Sequence, residues 1–416
     1  MISSCQVVIT GVGIISPLGL NRESLWSSLL QRQSGVRVRE EFAECTHPFR
    51  ICSPVHNFEP REFVRPRKSL KVMCRPIQFG FAASTLATDS ANINEQIDPE
   101  RFSTVFGTEA FYADPTEVAL VFRKCMVNRC YDHDRWGDYA MREIEPLWML
   151  KYLPNMVASH LSIACDARGP SNTICQSEAS SLLAMIEACD LIQRGAADAV
   201  VTGGTGSLMT TTGIIYRGTD RLSKRIMDPE KASRPFDAAR DGMVVGEGSG
   251  AFVLEREDFA KARGARPLAR ILGFARSFYP PDNGFADAIA HNMNLALDRA
   301  GVSANDIGHI NAQGCSTQED DVIEAQAIEK VFGDTPVIAP TSNLGNLGPG
   351  AGAVELAASI EACHHGVLPP VLNLDKQDRE CPINLVTEDG TTSNKPLGLS
   401  TNFTETGQIT SIIIGT

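Results

Sequence analysis

The most constraining feature is an uncharged apolar run near the start, Val7-Val8-Ile9-Thr10-Gly11-Val12-Gly13, which passes through Ser16-Pro17-Leu18-Gly19 into a helical pattern from about Asn21 to Gln31. A strand with no polar alternation must be covered on both faces, so this β-turn-α opening belongs to an interior sheet with helices packed on it. The alternation returns late in the chain. Residues 268–274 read as a strand, 286–300 as an amphipathic helix and 307–311 as a second strand. The chain therefore reads as an α/β protein of two comparable halves, divided as 1–260 and 261–416.

Between these points, Ala197 to Gly204 forms an apolar run closed by two glycines, as expected of a central strand ending at a functional edge. Ahead of it, Leu182, Leu183, Ile186 and Cys189 keep helical spacing until Gly195 stops them, which predicts a helix buried in mid-domain. Residues 110–150 mix aromatic and charged side chains without a clear period and read as an inserted cap. Residues 375–395 are polar and irregular.

A length of 416 residues with 43% hydrophobic and 21% charged side chains suits a large folded body. The formal charge of −12 disfavours a general nucleic-acid or anionic-membrane binder. The 12 cysteines lack CxxC pairs and the first residues lack a charged-then-apolar leader, which points to reduced thiols in a cytoplasm. Cys363, His364 and His365 are adjacent, so on a helix they diverge, and no metal site is expected. No apolar run approaches the roughly 18 residues needed to span a bilayer.

Several blocks carry a resemblance. They are VVITGVGIISPLG, Asn155-Met156-Val157-Ala158 with His160-Leu161-Ser162, Gly169-Pro170-Ser171, GAADAVVTGG, RPFDAARDGMVVGEGSGAFVLE, Asn311-Ala312-Gln313-Gly314, and Gly350-Ala351-Gly352-Ala353-Val354-Glu355. Their order and spacing resemble the β-ketoacyl-acyl-carrier-protein synthases nearly end to end. The resemblance implies a thiolase-like fold, two related α/β halves in five layers (αβαβα), and a dimer. It also implies acyl groups delivered on the phosphopantetheine of an acyl carrier protein, with no bound cofactor.

Active members of that family place a cysteine at the start of a buried helix, where the helix N-terminus favours the thiolate. Counting forward from Gly169-Pro170 and backward from Gly195 puts that position on Glu178. Cys175 lies three residues early and is the alternative nucleophile, at the expense of nearly one helical turn of displacement. The two family histidines fall on Gln313 and Asn346, whose amides donate hydrogen bonds but shuttle no protons. The supporting lysine falls on Thr341, with Glu355 following, and the gating phenylalanine falls on Glu405, two residues after Phe403.

With five linked positions replaced and the structural blocks kept, condensation on this chain alone is not expected. The pattern is similar to the chain-length-factor, or β, subunits of type II polyketide synthases, which pair with a cysteine-bearing ketosynthase. Those subunits often carry glutamine where this chain has Glu178. Glu178 is then a structural group, bonded by Gln313 and Asn346 in a closed polar cluster, or a general base in an acyl-thioester reaction such as malonyl decarboxylation or acyl transfer. Arg65, Arg67, Lys68 and Lys71 resemble a carrier-protein docking patch. Ala110, Phe111 and Tyr112 align with the tunnel end near the dimer interface. The expected partners are a cysteine-bearing ketosynthase or a second copy, and an acyl carrier protein.

Overall fold

The computed structural model describes residues 6–42, 44, 50–280 and 284–416. Its main strands are β1 Val7–Ile15, β2 Phe102–Gly107, β3 Ser171–Ile174, β4 Ala199–Ser207, β5 Val245–Arg256, β6 Ala269–Phe278, β7 Ile307–Asn311, β8 Val337–Ile338, β9 Leu397–Phe403 and β10 Gln408–Gly415. In space the first five run β3-β2-β4-β5-β1 and the second five run β8-β7-β9-β10-β6. Strand directions repeat as well. The pairs β3/β2 and β2/β4 are parallel, while β4/β5 and β5/β1 are antiparallel, and the second half has the same four relations in the same sequence. The two half-sheets join where Val7–Ile9 pairs with Ala269–Ile271.

Five helices complete the layers: α1 Arg75–Ala91, α2 Ser180–Gln193, α3 Phe285–Ala300, α4 Gln318–Phe332 and α5 Ala351–His365. Helix α1 covers one outer face, on β1, β4 and β5, and α3 covers the other, on β6 and β10 with α4 beside it. Helices α2 and α5 touch each other and lie between the half-sheets, which explains why nearly every residue of each is buried and neither shows an amphipathic stripe. The close seat of α1 on β1 requires glycine. A Cβ on Gly13 would stand 2.0 Å from the Ala83 carbonyl oxygen.

The strand expected over 307–311 has those bounds, and the helix expected over 286–300 begins one residue earlier. Strand β6 runs on to Phe278, past the expected end at 274, because its partner β10 continues through Gln408. Residues 110–152 stand outside the main sheet, as expected of a cap, although the helices there are amphipathic. They form helices Pro115–Lys124 and Trp136–Glu143 around a hairpin of Met126–Val127 with Cys130–Tyr131. The first helix had a legible start: Asp114 accepts the Thr116 amide at 2.8 Å and Pro115 is the first helical residue. His364 and His365 do diverge. One ring lies 2.5 Å from the Leu268 carbonyl oxygen, and the other stacks on Trp26 and faces Glu361 at 3.3 Å.

Among the described residues, no helix is long and apolar enough to cross a membrane. The irregular stretch 375–395 is anchored from the RPFD block. Asp237 accepts the amides of Asp375 and Lys376, each at 2.9 Å, and the Arg234 guanidinium at 2.9 Å.

Candidate functional site

Strand β3 ends at Ile174, and the chain turns through Ser177–Ala179 into α2, with Ser177 in the left-handed region at φ 47°. Ser180 fastens this turn: its hydroxyl accepts the Gln176 amide at 2.8 Å and donates to the Ser177 carbonyl at 2.7 Å. Glu178 is thereby held at the approach to the buried helix, half-buried, with its carboxylate on the wall of a cavity of about 330 Å³. Gln313, Cys315, Asn346, Phe403 and Glu405 line the same chamber. The structure thus brings together residues separated by more than 200 positions.

Asn346 lies in the loop entering α5. Its Oδ1 accepts the Gly348 amide at 2.8 Å, which fixes the amide orientation, so its Nδ2 faces the chamber and donates to Glu178 Oε1 at 3.1 Å. Gln313 behaves differently. Its Oε1 accepts the Phe403 amide at 2.7 Å, and its Nε2 points to Cys315 Sγ at 3.0 Å. The expected closed cluster is therefore only half formed. Asn346 donates to Glu178, whereas Gln313 is turned away by the stronger claim of a backbone N–H on its carbonyl oxygen.

Behind Gln313 the polar groups form a dense buried layer. Glu324 accepts the Gln313 and Gly314 amides at 2.7 and 2.9 Å, clamping the loop after β7. Burial nevertheless pushes the Glu324 carboxyl up to about 8, with the two amides opposing that rise. Thr341 Oγ1 lies 2.6 Å from the Gln313 carbonyl and 3.0 Å from Glu355 Oε1. One hydroxyl hydrogen serves one acceptor, so a protonated Glu355 satisfies both contacts. This agrees with burial pushing the Glu355 carboxyl up to about 7, helped by the charge of Glu178. Asn402 Nδ2 completes the layer on Glu355 Oε2 at 3.1 Å.

The loop that carries Glu405 is a tight hairpin between β9 and β10, closed by Thr404 and Gln408 backbone pairing at 2.9 Å. Phe403 is buried and packs edge-on against Phe285 at 5.8 Å. Glu405 at the tip is ion-paired with Arg221, which also holds Asp320. Arg217, one turn earlier, pairs with Glu109. These two arginines line the chamber with Glu178. Sequence reasoning missed them because GIIYRGTDRLSKR has neither period nor motif, and their partners lie about a hundred positions away or more.

Cys175 is exposed at the end of β3, with its Sγ 3.4 Å from Thr108 Oγ1, and does not line the chamber. The chamber's thiol is Cys315, buried and pushed far above its ordinary range by desolvation and by Asp320, Asp321 and Glu178. Ala110, Phe111 and Tyr112 line a separate cavity of about 570 Å³ beneath the cap. Arg65, Arg67, Lys68 and Lys71 are exposed on the segment preceding α1, and none of the four enters an ion pair among the described residues. Among those residues, no cluster of His, Cys, Asp and Glu has a metal-holding arrangement.

Residues 5–260 match the model of the β-ketoacyl synthase N-terminal domain and residues 273–375 that of the β-ketoacyl synthase C-terminal domain. The chain is 32% identical over 397 residues to 3-oxoacyl-[acyl-carrier-protein] synthase 2 of Vibrio harveyi, covering 92% of each. Its fold superposes on a β-ketoacyl synthase from Burkholderia phymatum with a TM-score of 0.88 at 28% identity, covering 99% of both chains. It superposes on the ishigamide ketosynthase/chain length factor with a TM-score of 0.85 at 27% identity, covering 100% of both. With both domains matched in order and relatives aligned along almost their whole length, this chain belongs to the β-ketoacyl synthase family of fatty-acid and polyketide assembly.

Proposed function

We propose that this chain is a non-condensing, chain-length-factor-type subunit that pairs with a cysteine-bearing ketosynthase. The observation that carries the reading is the chamber itself. The position read from the sequence as the nucleophile's presents a carboxylate, Glu178, held by the Asn346 amide, and among the described residues no imidazole lines the cavity. Claisen condensation needs a thiolate to take the acyl chain and donors that stabilise the decarboxylating malonyl group. Gln313 has both ends of its amide engaged, and the Cys315 thiol is kept protonated by its surroundings.

In this reading the chain shapes the product of its partner. Phe111 and Tyr112, on the cavity beneath the cap, set the length of the acyl chain that the pair accepts. Arg65, Arg67, Lys68 and Lys71 offer positive charge to an acidic carrier protein bearing the phosphopantetheine-linked acyl group.

Incubating the purified chain with acyl- and malonyl-carrier proteins should give no elongated product by mass spectrometry. Adding the partner ketosynthase should give products whose length changes in a Phe111→Ala, Tyr112→Ala variant. Elongation by this chain alone would overturn the reading.

One observation favours a second reading, in which Glu178 acts on a malonyl thioester. Among the described residues, one of its two oxygens is hydrogen-bonded, and the carboxylate faces the cavity. Loss of carbon dioxide from malonyl-carrier protein with the native chain but not with Glu178→Gln would establish that activity. Identical traces would exclude it.

A further inference from the structure

The chamber around Glu178 has a neighbour on each side, and an arginine stands at each boundary. Outward, a surface groove of about 640 Å³ shares three wall residues with the chamber: Arg221, Asp320 and Glu405. These are the members of one ion-paired triad, so the partition between groove and chamber is the triad itself. Inward, Glu109 lies on the wall of the cavity beneath the cap and Arg217 on the wall of the chamber, and the two are paired. The Glu109 side chain is only 8% exposed. The Arg217 guanidinium also lies over the Tyr112 ring, 6.0 Å from its centre.

We propose that Arg217 and Arg221 are plugs that seal the Glu178 chamber at its two ends and determine what can enter it. Both come from one short segment, the helix Thr211–Arg217 and the turn after it, where Gly218 at φ 80° ends the helix. A shift of this segment would part both seals together. While it stays in place, a pantetheine-linked acyl chain cannot thread from the surface past Glu178 to the cavity beneath the cap. The outer groove adds an electrostatic barrier. Its walls carry five carboxylates, those of Asp220, Asp241, Glu319, Asp320 and Glu405, against two cations. A phosphate-bearing arm is therefore repelled at this mouth. The seals act whether Glu178 is a structural group or a catalytic one.

Cys315 reports on the chamber from inside, and Cys130 is exposed elsewhere on the surface. The full chain is treated with N-ethylmaleimide, and the rate of adduct formation at each cysteine is read by peptide mass mapping. In native protein Cys315 should react far more slowly than Cys130. Replacing a single plug, Arg217→Met or Arg221→Met, should raise the Cys315 rate about fivefold, and replacing both should raise it about twentyfold, as expected for removing partly exposed ion pairs that hold a closed state. Removing a cation makes the thiol less acidic, so a faster reaction reads access and not ionisation.

If the variants do not fold, the native chain is compared at low and high salt. Glu405 is 66% exposed, so its pair with Arg221 is open to screening, and the Cys315 rate should rise relative to Cys130. A Cys315 rate unchanged in the folded double variant, or unchanged by salt in the native chain, overturns the proposal.

Discussion

The cluster around Asp237 and the chamber around Glu178 are both built from a carboxylate reached by distant parts of the chain, yet they end in opposite states. Asp237 accepts the Arg234 guanidinium and the amides of Ala239, Asp375 and Lys376 at 2.7–2.9 Å, and it is almost wholly buried. Among the described residues Glu178 has one hydrogen bond, from Asn346, and it stays half-buried against a cavity. A buried charge is tolerated when its oxygens are filled by donors, and such a group is structural. A carboxylate left partly open on a cavity wall contributes little to folding and is free to meet another molecule.

The largest expected effect tests the structural side of this contrast. Asp237→Ala should lower unfolding stability by about 3–5 kcal/mol, because it leaves the buried Arg234 with only the exposed Asp375 as carboxylate partner and frees three backbone amides at once. Chemical denaturation would read it. A loss below about 1 kcal/mol would remove the distinction between the two sites.

Next in size is a pH effect in the layer behind the chamber. Burial raises the Glu324 carboxyl from 4.5 to about 8, so the folded state binds a proton that the unfolded state has released. Stability from this group is full below about pH 4.5 and is lost as pH rises towards 8. Glu355 and Asp321, each raised to about 7 by burial, act in the same direction. Glu324→Gln should flatten the decline between pH 5 and 8 by on the order of 2 kcal/mol. An unchanged slope would show that Glu324 is already ionised in the folded chain.

The smaller effects belong to the chamber. Asn346→Ala removes the bonds to Glu178 and to the Gly348 amide and should cost about 1–2 kcal/mol. Glu178→Gln should change stability by less than about 0.5 kcal/mol, since a half-buried group with one partner has little to lose. A loss of about 2 kcal/mol or more in the thermal or chemical midpoint would instead make Glu178 a structural lock and erase its contrast with Asp237.

Much of the architecture could be read from residue order. The run at Val7–Gly13 needed cover on both faces, and it has it, with glycines at the positions where α1 presses closest. The strand at 307–311 and the helix ending at Ala300 were legible because apolar period and stop signals agree there. The cap was less so, because its helices are short and expose Leu120, Phe122 and Met141, so that apolar residues there do not mark a core face. Spacing from Gly169 and Gly195 put Glu178 ahead of a buried helix, which begins at Ser180, and Gln313 and Asn346 line the same chamber.

What the sequence by itself determined is which side chains stand at the five positions singled out, Glu178, Gln313, Thr341, Asn346 and Glu405, because covalent order and helical spacing put them there. Only the tertiary structure decided how those side chains face. The Gly348 amide turned Asn346 towards Glu178, the Phe403 amide turned Gln313 away from it, and Glu405 found Arg221. An amide's orientation and an arginine's partner follow from which donors and acceptors arrive from other elements, here 108 positions apart for Arg217 with Glu109 and 184 for Arg221 with Glu405. Such choices are settled by packing and have no local signal.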